Sequence, residues 1–426
     1  MDSHERKVLD SHAFQRLRHI NQLALTCLIY PGATHKRFEH SLGVMELASR
    51  VFDVITRPEN ISDPIRNLLP ELERDGPQYW RRVLRMAALC HDLGHLAFSH
   101  AAERDLLPEG WDHERITREI ISSPEMNSIW TEITPPLRCE DIIRIAVGPK
   151  KAPDLEFTDW QAILAEIVVG DAFGVDRMDY LLRDSHHAGV AYGKFDQYRL
   201  IDTIRILPPA PFEGQEGSSE PALGVEQGGI QSAEALVLAR YFMYSQVYFH
   251  PIRRIYDIHL KDFLKAWLSE GRFSTDIDQH LRTTDNEVTA AYMKSAYDKN
   301  MPGHIHARRI VCREHFKVIY ERNPKDVETN PDAGNALFTA LCAEFGAEHF
   351  RHDRYTQESG APDFPVRMRD GSIVSSLAIS ETLNKVPMVN IDYIFADRSV
   401  LPDAEKWLKR NRHSVIQPLG EEMTNG

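Results

Sequence analysis

The chain has 426 residues, of which 42% are hydrophobic and 27% charged, and its formal net charge is −13. That is the composition of a globular protein with ample core; the negative charge argues against a broad electrostatic grip on nucleic-acid backbone, while leaving a local arginine cluster open. Five cysteines without a C-x-x-C pair, a polar start with no secretory signal, and no apolar run of membrane-spanning length predict a protein of the reducing cytoplasm, with no membrane partner.

Residues 41 to 56 place Leu42, Met45, Ala48, Phe52 and Ile55 at spacings of three and four behind Ser41, which predicts an amphipathic helix. A second helix is predicted from about residue 78 to 95, with Val83, Leu84, Ala87, Ala88 and Leu89 as its stripe and Gly94 near its end; it delivers His91 and Asp92 from its last turn. Residues 160 to 184 read as one long helix carrying Asp176 and Tyr180 four apart on a single face. Two short apolar runs, 204–207 and 222–225, flank a Pro, Gly and Ser-rich stretch and predict a hairpin, followed by a helix over 232–248. Beyond residue 330 the composition shifts to scattered Pro, Gly and Asp, with a strand predicted over 388–395 and a closing helix over 402–411. The expected architecture is mainly α: a helical core over 1–330 with a short β-hairpin, and a smaller α+β lobe over 331–426.

Chemistry concentrates in three segments. His40 ends Arg37-Phe38-Glu39-His40, His91 and Asp92 stand together in Cys90-His91-Asp92-Leu93-Gly94-His95, and Asp176 opens Asp176-Arg177-Met178-Asp179-Tyr180. Two imidazoles and two carboxylates suit a divalent ion and leave room for water and a phosphate oxygen; iron, manganese, zinc, nickel and magnesium all fit such a set. Singly, each histidine is better explained as a satisfied core residue, and the case rests on co-occurrence. His95 falls beside the pair as an outer partner, and His100 and His113 are placed to bracket a phosphate. Arg37, Arg177 and Arg240 share segments with these residues and could complete charge neutralisation, although a solvated face explains each of them alone equally well.

The segments Arg37-Phe38-Glu39-His40-Ser41-Leu42-Gly43-Val44, His91-Asp92-Leu93-Gly94-His95 with Phe98-Ser99-His100, and Val175-Asp176-Arg177-Met178-Asp179-Tyr180 with Arg183-Asp184-Ser185-His186-His187 resemble the HD-domain deoxynucleoside triphosphate triphosphohydrolases. The similarity covers about residues 7 to 320 and is nearest the branch that also carries a sterile alpha motif, which is absent here. The resemblance implies a helical HD-domain phosphohydrolase core, a divalent metal on His40, His91, Asp92 and Asp176, and a catalytic group of His95, His100 and His113, with Glu103 where relatives carry an Asp. It further implies that Gln22, Leu23, Tyr180 and Asp184 contact the sugar, that Arg37, Arg177 and Arg240 meet phosphates, and that Tyr248 packs under the deoxyribose. By the same resemblance the substrate is a dNTP, cleaved to deoxynucleoside and inorganic triphosphate, and the chain assembles as a homo-oligomer.

Departures from the pattern matter. Tyr248-Phe249-His250-Pro251 stands where relatives have Tyr-Gln-His-Lys, and Ala24-Leu25 replaces a Gly-Gly pair. Another phosphate ester therefore stays in play as substrate: a nucleoside monophosphate, a cyclic dinucleotide or an end of single-stranded DNA; a silent nucleotide sensor is the third reading. Asp10, Arg18 and Arg199 match positions that relatives use for an activating guanine nucleotide, yet the chain begins too late to supply the upstream strand completing such a site. A helix N-terminal acid and a surface base explain Asp10 and Arg18 as well.

Overall fold

The computed structural model describes residues 3–74, 76–99, 103–209, 220–357 and 360–417. The fold is mainly α, as the periodicities predict. Among the described residues no helix is long and apolar enough to cross a membrane. Two compact units result, and the chain weaves between them: the first comprises residues 1–243, 268–289 and 361–386, the second 244–267, 290–360 and 387–426. The break expected after residue 330 therefore does not coincide with either unit's edge. Composition marks where polar residues accumulate, not where a strand rejoins a distant sheet.

The first unit is built on the helix Arg37–Ile55, which packs against the helices Gly76–Cys90 and Val175–Ala188. Its core face comes from the predicted stripe, with Met45, Ala48, Phe52 and Ile55 buried, as are Val83, Leu84, Ala87, Ile163 and Leu164 on the helices that pack against it. Phe52 meets Trp160 edge to face at 6.1 Å. The helix Asp159–Val169 starts in a capping box, Thr158 Oγ1 accepting from the Gln161 amide while Gln161 Oε1 accepts from the Thr158 amide. Gln161 Nε2 then donates to Asp141 at 2.8 Å, and Asp141 also accepts from Tyr79 at 2.9 Å, so one buried acid joins three helices.

Two boundaries differ from the predicted ones, and both bear on the site. The second predicted helix stops at Cys90, so His91 and Asp92 lie in the tight turn just beyond it. The long helix expected over 160–184 is two, Asp159–Val169 and Val175–Ala188, interrupted at residues 170–174. The interruption sits on glycines: a Cβ at Gly174 would lie 2.5 Å from the Gly170 carbonyl, so the return of the chain requires the bare backbone. Asp176 consequently stands in the first turn of a new helix, where a carboxylate is favoured by the helix dipole.

The predicted hairpin forms, Ile204–Leu207 running antiparallel to Ala222–Glu226 with Ile204 opposite Val225. The sheet grows to four strands by parallel pairing of Val225 with Val366, which brings Pro365–Arg367 and Ile373–Ser375 into the first unit. The predicted helix over 232–248 is regular over Ile230–Met243 and closes with a π turn, Tyr244–Tyr248.

In the second unit a three-stranded antiparallel sheet has Asn390–Ala396 at its centre, between Lys317–Glu321 and Phe350–Thr356. Leu337 and Leu341 of the helix Ala333–Phe345, and Ala404 and Leu408 of Leu401–Ile416, bury Phe350 and Ile394 against it. Arg254 on the helix Pro251–Trp267 forks onto Asp353 through two bonds of 2.6 Å.

Candidate metal centre

His40 is wholly buried in the second turn's reach of the Arg37–Ile55 helix, whose start is fixed by the Lys36 amide donating to Glu39 Oε1 at 2.9 Å. Its Nδ1–H donates to Asp179 Oδ2 at 2.8 Å, which leaves the Nε2 lone pair aimed at Asp176 Oδ1, 3.0 Å away, and Asp92 Oδ2, 3.6 Å away. Asp179 is itself held by a two-bond fork from Arg183, each arm 2.8 Å. Gly43 makes this approach possible, because a Cβ there would sit 1.8 Å from Asp179 Oδ1.

His91 is set by a different device. Its Nδ1–H donates to the Ala88 carbonyl at 2.8 Å, and the buried Nε2 has no hydrogen-bond partner. That Nε2 lies 3.2 Å from Asp92 Oδ1 and 3.5 Å from Asp176 Oδ1. Ligand atoms of His40, His91 and Asp176 all fall within 4.8 Å of one another, and Asp92 borders this group through Oδ2 toward His40 and Oδ1 toward His91. An orphaned imidazole nitrogen, a second one with its tautomer fixed by an outer carboxylate, and two carboxylate edges are the donor set a divalent cation requires. The residues present fit the ion.

The electrostatics agree. Burial alone would lower the His40 pKa, yet Asp176 and Asp179 hold it at about 10, so that in the absence of a cation a proton takes that role between the two acids. Burial would raise Asp92 and Asp176; the imidazoles, with Arg37 beside Asp92, instead keep both well below the usual carboxylate range.

Around this centre, Arg37 Nη1 donates to Asp92 Oδ2 at 2.5 Å and its Nε to Ser99 Oγ at 3.0 Å. His95 Nε2 lies 3.1 Å from Asp92 Oδ1, and the His95 ring stacks on His113 at 4.0 Å. His113 donates from both its amide and Nδ1 to Glu103 Oε1, each at 2.7 Å. Glu103 thus grips His113; His100 lies outside the described residues. The turn holding His91 to His95 closes on the helix His113–Ile121, for Gly94 N–H donates to Thr117 Oγ1 at 2.9 Å and Thr117 Oγ1 donates to the His91 carbonyl at 3.2 Å. Burial, with the positive charge of Arg37 and His113, drives the His95 pKa well down, whereas Glu103 outweighs burial at His113 and lifts it.

Of the residues assigned to substrate, Leu23 is buried and Gln22 partly so, with the Gln22 amide donating to the His35 carbonyl at 3.0 Å. Asp184 is buried and accepts from His35 Nε2 at 2.7 Å. His35, which stacks on His187 at 4.3 Å, thereby links the two predicted sugar-side segments and was not legible among 20 histidines. Tyr180 lies one turn along from Asp176 on the same helix. Arg177 Nη1 donates to the Gly170 and Asp171 carbonyls, and Arg177 and Arg240 both act on the Asp171 carboxylate, so these two guanidiniums share a neighbourhood. Tyr248 belongs to the second unit, where its ring meets Tyr244 at 5.0 Å.

The residues matched to an activator are held locally. Asp10 ends the helix Ser3–Asp10. Arg18 donates to Gln15 Oε1 at 2.9 Å and lies over the Phe38 ring at 3.5 Å, and Arg199 forks onto the Gly228 carbonyl at 3.2 and 3.1 Å.

A further triplet, His259, Asp262 and His306, also clusters within 4.8 Å, in the second unit. Its chemistry differs. His259 Nε2 accepts from the Phe316 amide at 3.3 Å, so the proton sits on Nδ1, and Asp262 takes two arms of Arg351 at 3.4 Å. A protonated nitrogen and a carboxylate already met by a guanidinium make a partly buried ion-pair cluster in place of a ligand set.

Comparison with known proteins places these observations. The HD domain profile matches residues 37–147, the span from the His40 helix through the His91–Asp92 turn, and the HD associated region matches 196–343. An uncharacterized protein of Methanocaldococcus jannaschii is 33% identical over 261 residues, 61% of this chain and 46% of its own length. The deoxynucleoside triphosphate triphosphohydrolase SAMHD1 of Homo sapiens is 29% identical over 358 residues, 75% of this chain and 53% of its own. The chain thus spans about half the length of the curated relatives it matches. The crystal structure of a hypothetical protein from Aquifex aeolicus superposes with a TM-score of 0.76 at 30% identity, covering 96% of each chain. With matching sequence segments, fold and ligand geometry in one place, the chain belongs to the HD-domain family and within it is similar to the deoxynucleoside triphosphate triphosphohydrolases.

Proposed function

We propose that this protein is a metal-dependent phosphohydrolase that cleaves a dNTP to deoxynucleoside and inorganic triphosphate. The observation carrying this reading is the pair of imidazole Nε2 atoms, each with its tautomer fixed from behind, facing two carboxylates beside a stacked histidine pair. When bound, a divalent ion there supplies Lewis-acid polarisation of a phosphoryl oxygen and an acidified water.

The chain's own groups divide the remaining work. Arg37 fixes the outward edge of Asp92 and presents positive charge where phosphate charge grows. His113, held by Glu103, is the proton donor: water oxygen joins the α-phosphorus and its proton leaves to solvent, the bond to the 5′ oxygen breaks, and that oxygen takes the His113 proton, which solvent then restores. His95, kept neutral by burial and its cationic neighbours, orients the reacting centre as a hydrogen-bond partner. In the same reading Gln22, Leu23, Tyr180 and Asp184 face the sugar, Arg177 and Arg240 the distal phosphates, and Tyr248 completes the sugar wall; homo-oligomer assembly and activation by a guanine nucleotide through Asp10, Arg18 and Arg199 belong to it too. The cytoplasm is the compartment that supplies such a substrate.

Incubation with each dNTP under manganese, followed by anion-exchange separation, tests the reading. Triphosphate released one for one with deoxynucleoside supports it. Pyrophosphate or monophosphate as the first product overturns it. The second reading, another phosphate ester, is favoured by Phe249 and Pro251 in place of an amide and a lysine, and turnover of a nucleoside monophosphate with dNTPs untouched selects it.

A further inference from the structure

The segment 268–289 rejoins the first unit late in the chain and carries a carboxylate that the chemistry above leaves unused. Asp285 is 2% exposed. An acid at a helix start ordinarily accepts from amides of its own first turn. Here that task falls to neighbours: Glu287 Oε2 accepts from the Thr284 amide at 2.8 Å, and Thr284 Oγ1 accepts from the Asn286 amide at 3.2 Å. Both oxygens of Asp285 go elsewhere. Oδ1 accepts from the Phe98 amide at 2.7 Å and Oδ2 from the Asn21 amide at 2.8 Å.

The two amides belong to the two segments that build the site. Phe98 and Ser99 have φ of 56° and 49°, a left-handed bend that a non-glycine residue adopts only under constraint. The bend begins three residues past His95, and Ser99 Oγ receives the Arg37 Nε–H that sets Arg37 against Asp92. Asn21 precedes Gln22, and the Arg37 amide donates to the Ile20 carbonyl at 3.0 Å. A second clamp runs in parallel: Arg16 Nη1 donates to the His95 carbonyl at 2.8 Å while its Nε and Nη2 donate to Thr283 O at 3.2 and 2.9 Å. Residues 283–285 are thereby fastened to the site's loop at His95, before the bend, and at Phe98, within it.

We propose that Asp285 is a positioning residue for the active site: one carboxylate, gripping one amide in each segment, holds the strained 95–99 bend and residues 21–22 in mutual register. The proposal rests on the reading of the His95 loop as catalytic. Without the carboxylate the bend relaxes, Ser99 leaves Arg37, and Arg37 turns from Asp92.

The test is Asp285→Asn in the full chain, where the isosteric amide retains one acceptor and sets an N–H2 against the other backbone amide. Per metal-loaded molecule, kcat for dGTP under manganese falls about 10- to 100-fold, as for a reacting group displaced by an ångström, while KM moves less than about threefold. Metal stoichiometry at saturating manganese stays at the parental value. A merely structural role would lower metal loading and turnover in proportion and leave kcat per loaded molecule unchanged, and that result overturns the proposal. If the parental protein spares dGTP, the proposed function fails on its own, and bis(p-nitrophenyl) phosphate serves as probe for the same comparison. If the variant does not fold, hydrogen exchange of the parental chain decides: peptides covering residues 20–22 and 96–99 exchange slowly and together if Asp285 holds both, and free exchange at Phe98 refutes the proposal.

Discussion

Gly43→Ala is the substitution for which local and tertiary rules disagree most. Within a helix, alanine for glycine is favourable by about 0.8 to 1.0 kcal/mol. The added Cβ, however, would lie 1.8 Å from Asp179 Oδ1 and 2.6 Å from its Cγ, against an ordinary contact of 3.4 Å or more. Asp179 must therefore retreat by about 1.6 Å, which its 2.8 Å bond to His40 Nδ1 does not survive. Loss of such an outer partner typically weakens metal affinity by about 10- to 100-fold, or about 1.4 to 2.8 kcal/mol. The assay is manganese affinity by chelator competition on stripped protein, beside a thermal melt of the metal-free form. Weakened affinity in a folded variant is expected. Parental affinity in a folded Gly43→Ala protein refutes the claim that Asp179 orients His40.

Asp92→Ala removes a ligand edge and should weaken metal binding beyond the ~10- to 100-fold of an outer-partner loss, measurable by metal analysis after gel filtration; full metal content would remove Asp92 from the site. Burial, with Arg309, His306 and Arg351 nearby, lowers His259 to about 2 from 6.5, so its neutral form stabilises the fold above pH 6.5 and that stability is lost as pH falls from 6.5 toward 2. Between pH 7 and 5 the loss is about 2 kcal/mol, nearly independent of how far below 5 the folded value lies, and His259→Gln should flatten the urea-unfolding free energy over that range by this amount. An unchanged pH slope would contradict it. Thr158→Ala removes half a capping box and should cost about 1 kcal/mol in unfolding free energy with metal affinity untouched.

What the sequence displays follows from what is local. The stripe of Met45, Ala48, Phe52 and Ile55 repeats with the helix itself, and the hairpin announces its turn, so both elements stand where periodicity and turn chemistry put them. The residues of the metal centre were visible because two of them are adjacent and the third and fourth stand in short segments of unusual polarity. Helix ends were less legible. Cys90 closes its helix because His91 Nδ1 takes the Ala88 carbonyl, and residues 170–174 break theirs because Gly170 and Gly174 must touch; apolar periodicity runs through both places without a mark. Least legible were the supporting partners. Asp179 on His40, His35 on Asp184 and Asp285 on Phe98 pair across 139, 149 and 187 residues, and no local pattern encodes a contact at that separation.

These supporting pairs also fix the order in which the site must be filled. Asp92, Asp176 and Asp179 stand against Arg37 and Arg183 at the centre, His95 is neutral, and the proton that His40 holds without a cation brings the ligand group only to about neutral. A polyphosphate gains no net attraction from such a group, and the carboxylate edges nearest to it repel it in a buried, weakly screened site. A divalent ion in place of the His40 proton makes the group net positive. Substrate affinity itself, and not turnover alone, should then depend on the divalent ion, with dGTP binding to stripped protein weaker at least tenfold by calorimetry, a difference of about 1.4 kcal/mol. Equal affinity with and without the ion would mean that the phosphates are held elsewhere, by Arg177 and Arg240 alone, and that the carboxylates at the centre never face the substrate.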